Sequence, residues 1–481
     1  MQIFRNSILN LVGSIVPILV SIVTLPLYIE VLGIERYGLM ALAWIVLGYF
    51  GFLDLGMGRA VAQRVASLSA VDQSRSSAAT SAGIVLSAAF GFLGGIVILL
   101  AFYLFRSIQP LGASVLTEEA LLLPVWLAIA MPAVIVTPTI HGALQGHKQF
   151  KIINLSSVLS TCLFQIIPLI VAIFEKPDLR VVIPAAVAVR VISLLAVTIV
   201  AWNRILPNGF TRPNRLEYKS LLIFGGWTAV SAIISPLMVT LDRLLIGAVA
   251  GPKVVAFYTV PWQLAERTTM LATSIGSAVF PSFAQMSPAA VDLLAKRYLL
   301  YLLAISTPTM IAAILFLEPA LGIWISAEFA DQSAPIGQVL LFGFWLNALA
   351  VIPFTRLQAL GHARLIAICH LIEVIPYVAL LWLLLQNWGG IGAAIAFTLR
   401  VFVDLVILSF AAKMGAVTSR AVLAPFLLMA CSLLGVLSSG TSMPLTFIGT
   451  GALVLASGYS YWLLRSARLS LRSSVVESLA T

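Results

Sequence analysis

The 481-residue chain is 61% hydrophobic and only 10% charged, with 28 Lys and Arg against 18 Asp and Glu for a net charge of +10. Soluble globular domains carry roughly 25% charged residues, so a water-soluble enzyme is excluded. At about 20 residues per bilayer crossing, the length accommodates about twelve to fourteen spans and leaves no room for a sizeable soluble domain. In so apolar a chain the basic excess points to loops facing anionic lipid and not to nucleic acid.

Apolar runs between charged or Gly/Pro-rich breaks place fourteen helices. The first seven cover residues 7–29, 37–57, 78–105, 120–144, 153–174, 181–202 and 220–241. The second seven cover 255–280, 298–317, 336–360, 365–385, 391–410, 421–437 and 445–464. The first run is too long for a cleavable signal and leads into the second span without a small-residue cleavage site. With the N-terminus inside, inner loops and tails hold 19 Lys and Arg, among them Arg64, Arg75, Lys148, Arg465, Arg468 and Arg472, while the outer loops hold six. That asymmetry places both termini in the cytoplasm of a multi-pass inner-membrane protein. Cys162, Cys369 and Cys431 all lie in apolar stretches, so neither a disulfide framework nor a thiolate metal site is expected.

The linker 203–219 suggests a duplication, which sliding the halves past each other supports. At an offset of 218, Gly33 meets Gly251 and Trp44 meets Trp262, with six further identities in the following stretch, ending at Ser69 and Ser287. Gly146-His147 pairs with Gly361-His362, and Ala186, Arg190 and Val191 with Ala396, Arg400 and Val401. Six helices per repeat keep both halves in the same sense, related by an axis along the membrane normal. The expected units are an N-terminal lobe over 1–219, a C-terminal lobe over 220–413, and two extra helices with a cytoplasmic tail over 414–481.

No phosphate loop, HExxH or GxSxG motif occurs, and the outer loops lack clustered acids with His. No catalytic residue, cofactor or metal is expected. Chemistry is left to ionisable residues inside spans, each costing ~2.5–3.5 kcal/mol at a helix centre and therefore facing a cavity or a partner. In chain order, Asp54 and Arg59 flank the inner end of the second span and either lock an inward gate or contact substrate. Arg190 and Arg400 lie near the middle of the sixth and twelfth spans. Each either holds phosphate oxygens bidentately or pairs with a neighbour such as Asp404. Asp242 and Arg243 close the seventh span as an outer gate or an interfacial anchor. Glu266 and Arg267 are adjacent in the eighth span, about 100° apart around the helix, so they do not pair with each other, and Arg267 is a candidate substrate contact. His370 and Glu373 share a face of the eleventh span; with Asp404 they form either an ion-coupling group or an interhelical hydrogen-bonded contact.

The opening, with Leu25-Pro26-Leu27-Tyr28, Leu32-Gly33-Ile34-Glu35-Arg36-Tyr37-Gly38 and Phe52-Leu53-Asp54-Leu55-Gly56, resembles polysaccharide-biosynthesis flippases of the Wzx type. These belong to the multidrug, oligosaccharidyl-lipid and polysaccharide exporter superfamily. Asp242-Arg243-Leu244-Leu245-Ile246-Gly247 and Gly389-Gly390-Ile391-Gly392-Ala393-Ala394-Ile395-Ala396 extend the resemblance over roughly the first 410 residues. It implies an all-α membrane protein of two six-helix lobes in a V around a central cavity, plus two helices. It also implies transfer of an undecaprenyl-pyrophosphate-linked oligosaccharide between leaflets, alongside membrane lipids, a polysaccharide polymerase and a chain-length regulator. The cavity arginines do not carry over by motif. A cation-coupled multidrug exporter and a lipid II flippase of the same superfamily are the alternatives, and a membrane glycosyl-transfer enzyme is the third.

Overall fold

The computed structural model describes residues 2–68, 72–108, 115–206, 209–286, 288–437 and 450–460, which contain helices and connections but no strand. In chain order the helices are α1 (Gln2–Leu32), α2 (Ile34–Phe50), α3 (Met57–Leu68), α4 (Gln73–Ile108), α5 (Val115–Gly146), α6 (Phe150–Phe174) and α7 (Leu179–Ile205). There follow α8 (Arg215–Ala250), α9 (Pro252–Arg267), α10 (Thr269–Gln285), α11 (Pro288–Trp324), α12 (Ala327–Ala359), α13 (Ala363–Ala411) and α14 (Gly415–Leu437). Eight described helices are long and apolar enough to cross a membrane unaided, and the chain is a multi-pass integral membrane protein.

The described helices follow the expected apolar runs, with two local corrections. The second does not run to Met57: it stops at Phe50, turns through a 3-10 segment at Gly51–Asp54, and resumes as α3. Leu55 and Gly56 adopt φ of 50° and 71° there, which no continuous α-helix permits. The eighth is divided at Thr268 between α9 and α10. The eleventh and twelfth are the two arms of α13, which is broken at Gly389 by a non-helical φ 56° and ψ −137°. The polar stretch beside the ninth span is helical from Pro288 onward as the start of α11. Of the last expected span only 450–460 lies among the described residues, where it is helical; Ser69, Ser287, Arg465, Arg468 and Arg472 lie outside them.

The chain divides into two compact units, Met1–Leu244 and Leu245–Thr481, with the division inside α8. In the first, Val61 and Val65 of α3, Val136, Ile140 and Leu144 of α5, and Ala201 and Ile205 of α7 form a buried core with Leu221 of α8. Small residues let α3 and α5 cross closely: a Cβ on Gly142 would fall on the carbonyl of Gly58. Gly142→Ala is therefore expected to lower stability by about 1–3 kcal/mol, the usual cost of overpacking, read as a drop in the thermal melting of the detergent-solubilised protein. In the second unit α12 is the central helix, buried over 83% of its most apolar window. Its Phe344 meets Trp262 of α9 and Phe397 of α13 at ring separations of 5.0 Å each.

The two units repeat each other in backbone detail. Gly33 caps α2 with φ 81° and ψ 158°, and Gly251 caps α9 with φ 85° and ψ 171°, at the 218-residue offset. Both helices then break within one residue of the same point of the repeat, after Phe50 and after Arg267. In the turn after the fourth helix, Lys148 donates to Gln145 and Gln149 to Leu144, as Gly361 donates to Gln358 and His362 to Leu357. Lys148 and Gly361 both have positive φ, 58° and 83°. The backbone equivalents thus lie 213 positions apart, two residues displaced from the Gly-His identity, because the turn geometry requires the positive φ and not the dipeptide.

Candidate functional site

Two carboxylates anchor opposite ends of the first unit. Glu119, 1% exposed at the start of α5, accepts from Nε of Arg36 at 3.0 Å and from Nη2 at 2.7 Å, and faces the backbone N–H of Leu179 at 3.4 Å. It ties together the first turns of α2, α5 and α7. Glu217, also 1% exposed, accepts from Arg64 at 2.9 and 3.0 Å and from Arg75 at 3.3 Å, joining α3 and α4 to the first turn of α8. Its hydrogen bonds raise the Arg64 guanidinium above its ordinary pKa. Neither acid stood out in the sequence, since nothing local marks a partner 153 positions away. Glu217→Ala removes the buried acceptor but leaves Arg64 and Arg75 with access to solvent, and we expect a loss of about 1–3 kcal/mol, measured as a fall in melting temperature that Glu217→Gln only partly restores.

Arg190 sits near the middle of α7, between these ends. Its guanidinium carbon lies 4.2 Å from the centroid of the Phe164 ring on α6, a stacking geometry that suits the guanidinium plane. Among the described residues it has no ion pair, and its Nε is buried without a hydrogen-bond partner. The Phe164 ring in turn meets Trp44 of α2 at 4.6 Å. Beside it, Tyr28 of α1 donates to the Gln165 carbonyl at 2.8 Å and Thr24 to Gln165 Oε1 at 3.3 Å.

The second unit has the counterpart, differently charged. Arg400 lies over Tyr377 at 5.6 Å. Phe164 and Tyr377 are 213 positions apart, the offset of the preceding turn, and the arginines are 210 apart. The change of three follows from the connection, which spans 175–178 in the first unit and is compressed to the turn at Gly389 in the second. Arg400 has acids beside it: its Nε is 3.9 Å from Glu373 Oε2, and His370 Nε2 is 3.4 Å from Asp404 Oδ1. The four ionisable groups named from the sequence in the eleventh and twelfth spans therefore form one cluster between the two arms of α13. The His370 ring also stacks against Phe354 of α12, and a cavity of about 200 Å³ opens beside Glu373, Tyr377 and Arg400.

The remaining candidates lie on the 3-10 turn, α3, α8 and α9. Asp54 ends the 3-10 turn with its carboxylate toward the N–H groups of Met57 and Gly58 at the start of α3; Oδ1 is buried without a partner, and Arg59 is exposed and forms no ion pair with it among the described residues. Asp242 and Arg243 are buried together in α8, the Arg243 N–H donating to Asp242 Oδ1 at 2.7 Å. Glu266 and Arg267 are exposed at the end of α9. No group of three or more metal-ligating side chains occurs among the described residues.

A family model described as "Polysaccharide biosynthesis protein" matches residues 3–287. The chain belongs to that family. It is 31% identical over 414 residues to a Shigella flexneri protein named "Putative O-antigen transporter", covering 85% of this chain and 97% of that one. Its fold matches that of the lipid II flippase MurJ in an inward closed conformation, with TM-score 0.63 and 15% identity over 96% of this chain and 99% of that one. An inward-facing multidrug resistance MATE family transporter of the MOP superfamily matches with TM-score 0.61 and 15% identity, over 85% of this chain and 99% of that one. The described residues of this chain are helical and have the MOP transporter fold.

Proposed function

We propose that this family member is a flippase. It carries an undecaprenyl-pyrophosphate-linked oligosaccharide repeat unit from the cytoplasmic to the periplasmic leaflet of the inner membrane for surface polysaccharide synthesis. It works by alternating access between its two six-helix lobes, with both termini cytoplasmic, and it forms no covalent bond in its substrate. The family match and the transporter relative support the substrate class. The observation that carries the reading is Arg190, a guanidinium in mid-span with no carboxylate paired to it among the described residues. Such a charge is costly in a bilayer unless an anion compensates it, and a pyrophosphate presents paired oxygens to a guanidinium fork.

The second-unit cluster has a different part in the proposal. Arg400 already has Glu373 within 3.9 Å, so its charge is balanced internally, and we assign the group of His370, Glu373, Arg400 and Asp404 to ion coupling. Arg400 and Arg267 stay as secondary headgroup contacts, and Asp54, Arg59, Asp242 and Arg243 as gating residues. A polysaccharide polymerase and a chain-length regulator are the partners that would receive the product. The test is deletion of the gene in its own host: surface polysaccharide should disappear, lipid-linked repeat units should accumulate on the cytoplasmic side, and plasmid-borne gene should restore export. Unchanged surface polysaccharide with lost drug resistance would transfer the protein to the exporter branch.

A further inference from the structure

The matched tryptophans of the repeat have opposite environments. Trp262 is a core residue, 2% exposed and enclosed by Tyr258, Phe344 and Phe397. Trp44, at the same repeat position, is only half-buried, and its ring meets Phe164, the residue that carries Arg190. A tryptophan needed only for packing would be enclosed in both units.

Height along the helices places Trp44 and Arg190 together. The Glu119 anchor fixes Arg36 and Leu179 at one level. Trp44 is eight residues beyond Arg36 and Arg190 eleven beyond Leu179, so both lie ~12–17 Å from that end at 1.5 Å per residue, near the middle of a ~30 Å apolar layer. The Phe164 ring stands between them, 4.6 Å from the indole and 4.2 Å from the guanidinium carbon. An aromatic ring and a guanidinium with no ion pair among the described residues, both packed on Phe164, offer the two kinds of contact that a pyranose ring and the phosphate on its anomeric oxygen take. The apolar C–H face of a sugar packs on an aromatic ring, and the phosphate takes the guanidinium N–H groups. The second unit cannot offer this pairing, because Trp262 is enclosed and Arg400 has Glu373 beside it.

We propose that Trp44, Phe164 and Arg190 form a subsite for the phosphosugar junction of the substrate, with Arg190 on the phosphate and Trp44 against the first sugar. This rests on the lipid-linked substrate proposed above. Phe164 is a positioning residue that holds the guanidinium and the indole at their spacing. The remainder of the glycan is left unread by this subsite, which makes the first sugar the one the first unit selects.

The test uses the full chain in nanodiscs and two probes, farnesyl pyrophosphate and farnesyl pyrophosphate bearing one N-acetylglucosamine. Wild type should bind the glycosylated probe more tightly. Trp44→Ala should weaken that probe about tenfold, the scale of one lost aromatic contact, and leave the bare pyrophosphate unchanged. Trp44→Phe should retain most of the binding, and Arg190→Gln should weaken both probes. Unaltered melting temperature in each variant separates these effects from misfolding. Trp44→Ala weakening both probes equally, or neither, overturns the subsite while leaving the flippase reading standing; wild type binding neither probe overturns the flippase reading itself.

Discussion

Arg190→Gln is expected to abolish export of surface polysaccharide while leaving the protein folded, inserted and at least as thermally stable as wild type. The physical basis is an asymmetry between a structural and a functional cation. Removing one member of a buried ion pair strands the other and costs about 3–5 kcal/mol. Arg190 has no such partner among the described residues; it rests on the Phe164 ring with Nε unbonded. Glutamine keeps much of the length and removes the charge, so it relieves a desolvation penalty of ~2.5–3.5 kcal/mol less the cation–π contact of ~0.5–2 kcal/mol. Arg190→Lys keeps the charge, loses the fork, and should export at a reduced rate. Immunoblotting of membranes, thermal melting and gel analysis of surface polysaccharide together check this. A destabilised variant, or one that exports normally, would remove Arg190 from the substrate path.

The second large effect concerns the cluster in α13. Glu373→Gln removes the acid beside Arg400, whose side chain is only 14% exposed, so this variant should lose both stability and export. Arg400→Gln should do the same in the opposite sense, by leaving Glu373 and Asp404 facing His370 alone. The double variant Glu373→Gln/Arg400→Gln balances the charge again and should recover most of the lost stability. If the cluster couples transport to an ion gradient, that refolded double variant stays inactive, because two of its four ionisable groups are gone and only His370 and Asp404 remain. A double variant that recovers stability and export together would make the cluster a structural pair and nothing more. The cycle isolates the pair only because each variant is close in shape to its parent.

The sequence shows the spans plainly, because a 20-residue apolar run in a chain with 10% charge has few other readings. The repeat is legible at Gly33 and Gly251, where a helix start demands positive φ in both units. It is misread by two residues at the Gly-His turns, where Lys148 bears the positive φ that Gly361 bears in the second unit, and a lysine gives no local sign of it. The breaks after Phe50 and Arg267 lie beside charges, Asp54 in one and Glu266-Arg267 in the other, but the apolar runs on either side are long enough that hydropathy passes through them. Intramembrane charges stand out from composition alone, which is why Arg190, Glu373, Arg400 and Asp404 are found. Their surroundings are not: Phe164 is one of 25 phenylalanines and Trp44 one of ten tryptophans, and only the fold brings them to a guanidinium. Glu119 and Glu217 were hidden for the same reason, their partners lying 83 and 153 positions away.

The central claim is movement of a lipid-linked sugar by this chain alone. Purified protein reconstituted into liposomes, with a fluorescent polyprenyl-pyrophosphate oligosaccharide placed in both leaflets, tests it through quenching by an impermeant reductant. A flippase exposes the inner-leaflet probe, so quenching passes the plateau at about half that a static bilayer sets, and Arg190→Gln returns it to that plateau. Quenching that stops at the plateau for wild type under an imposed proton or sodium gradient of either sign would contradict the account.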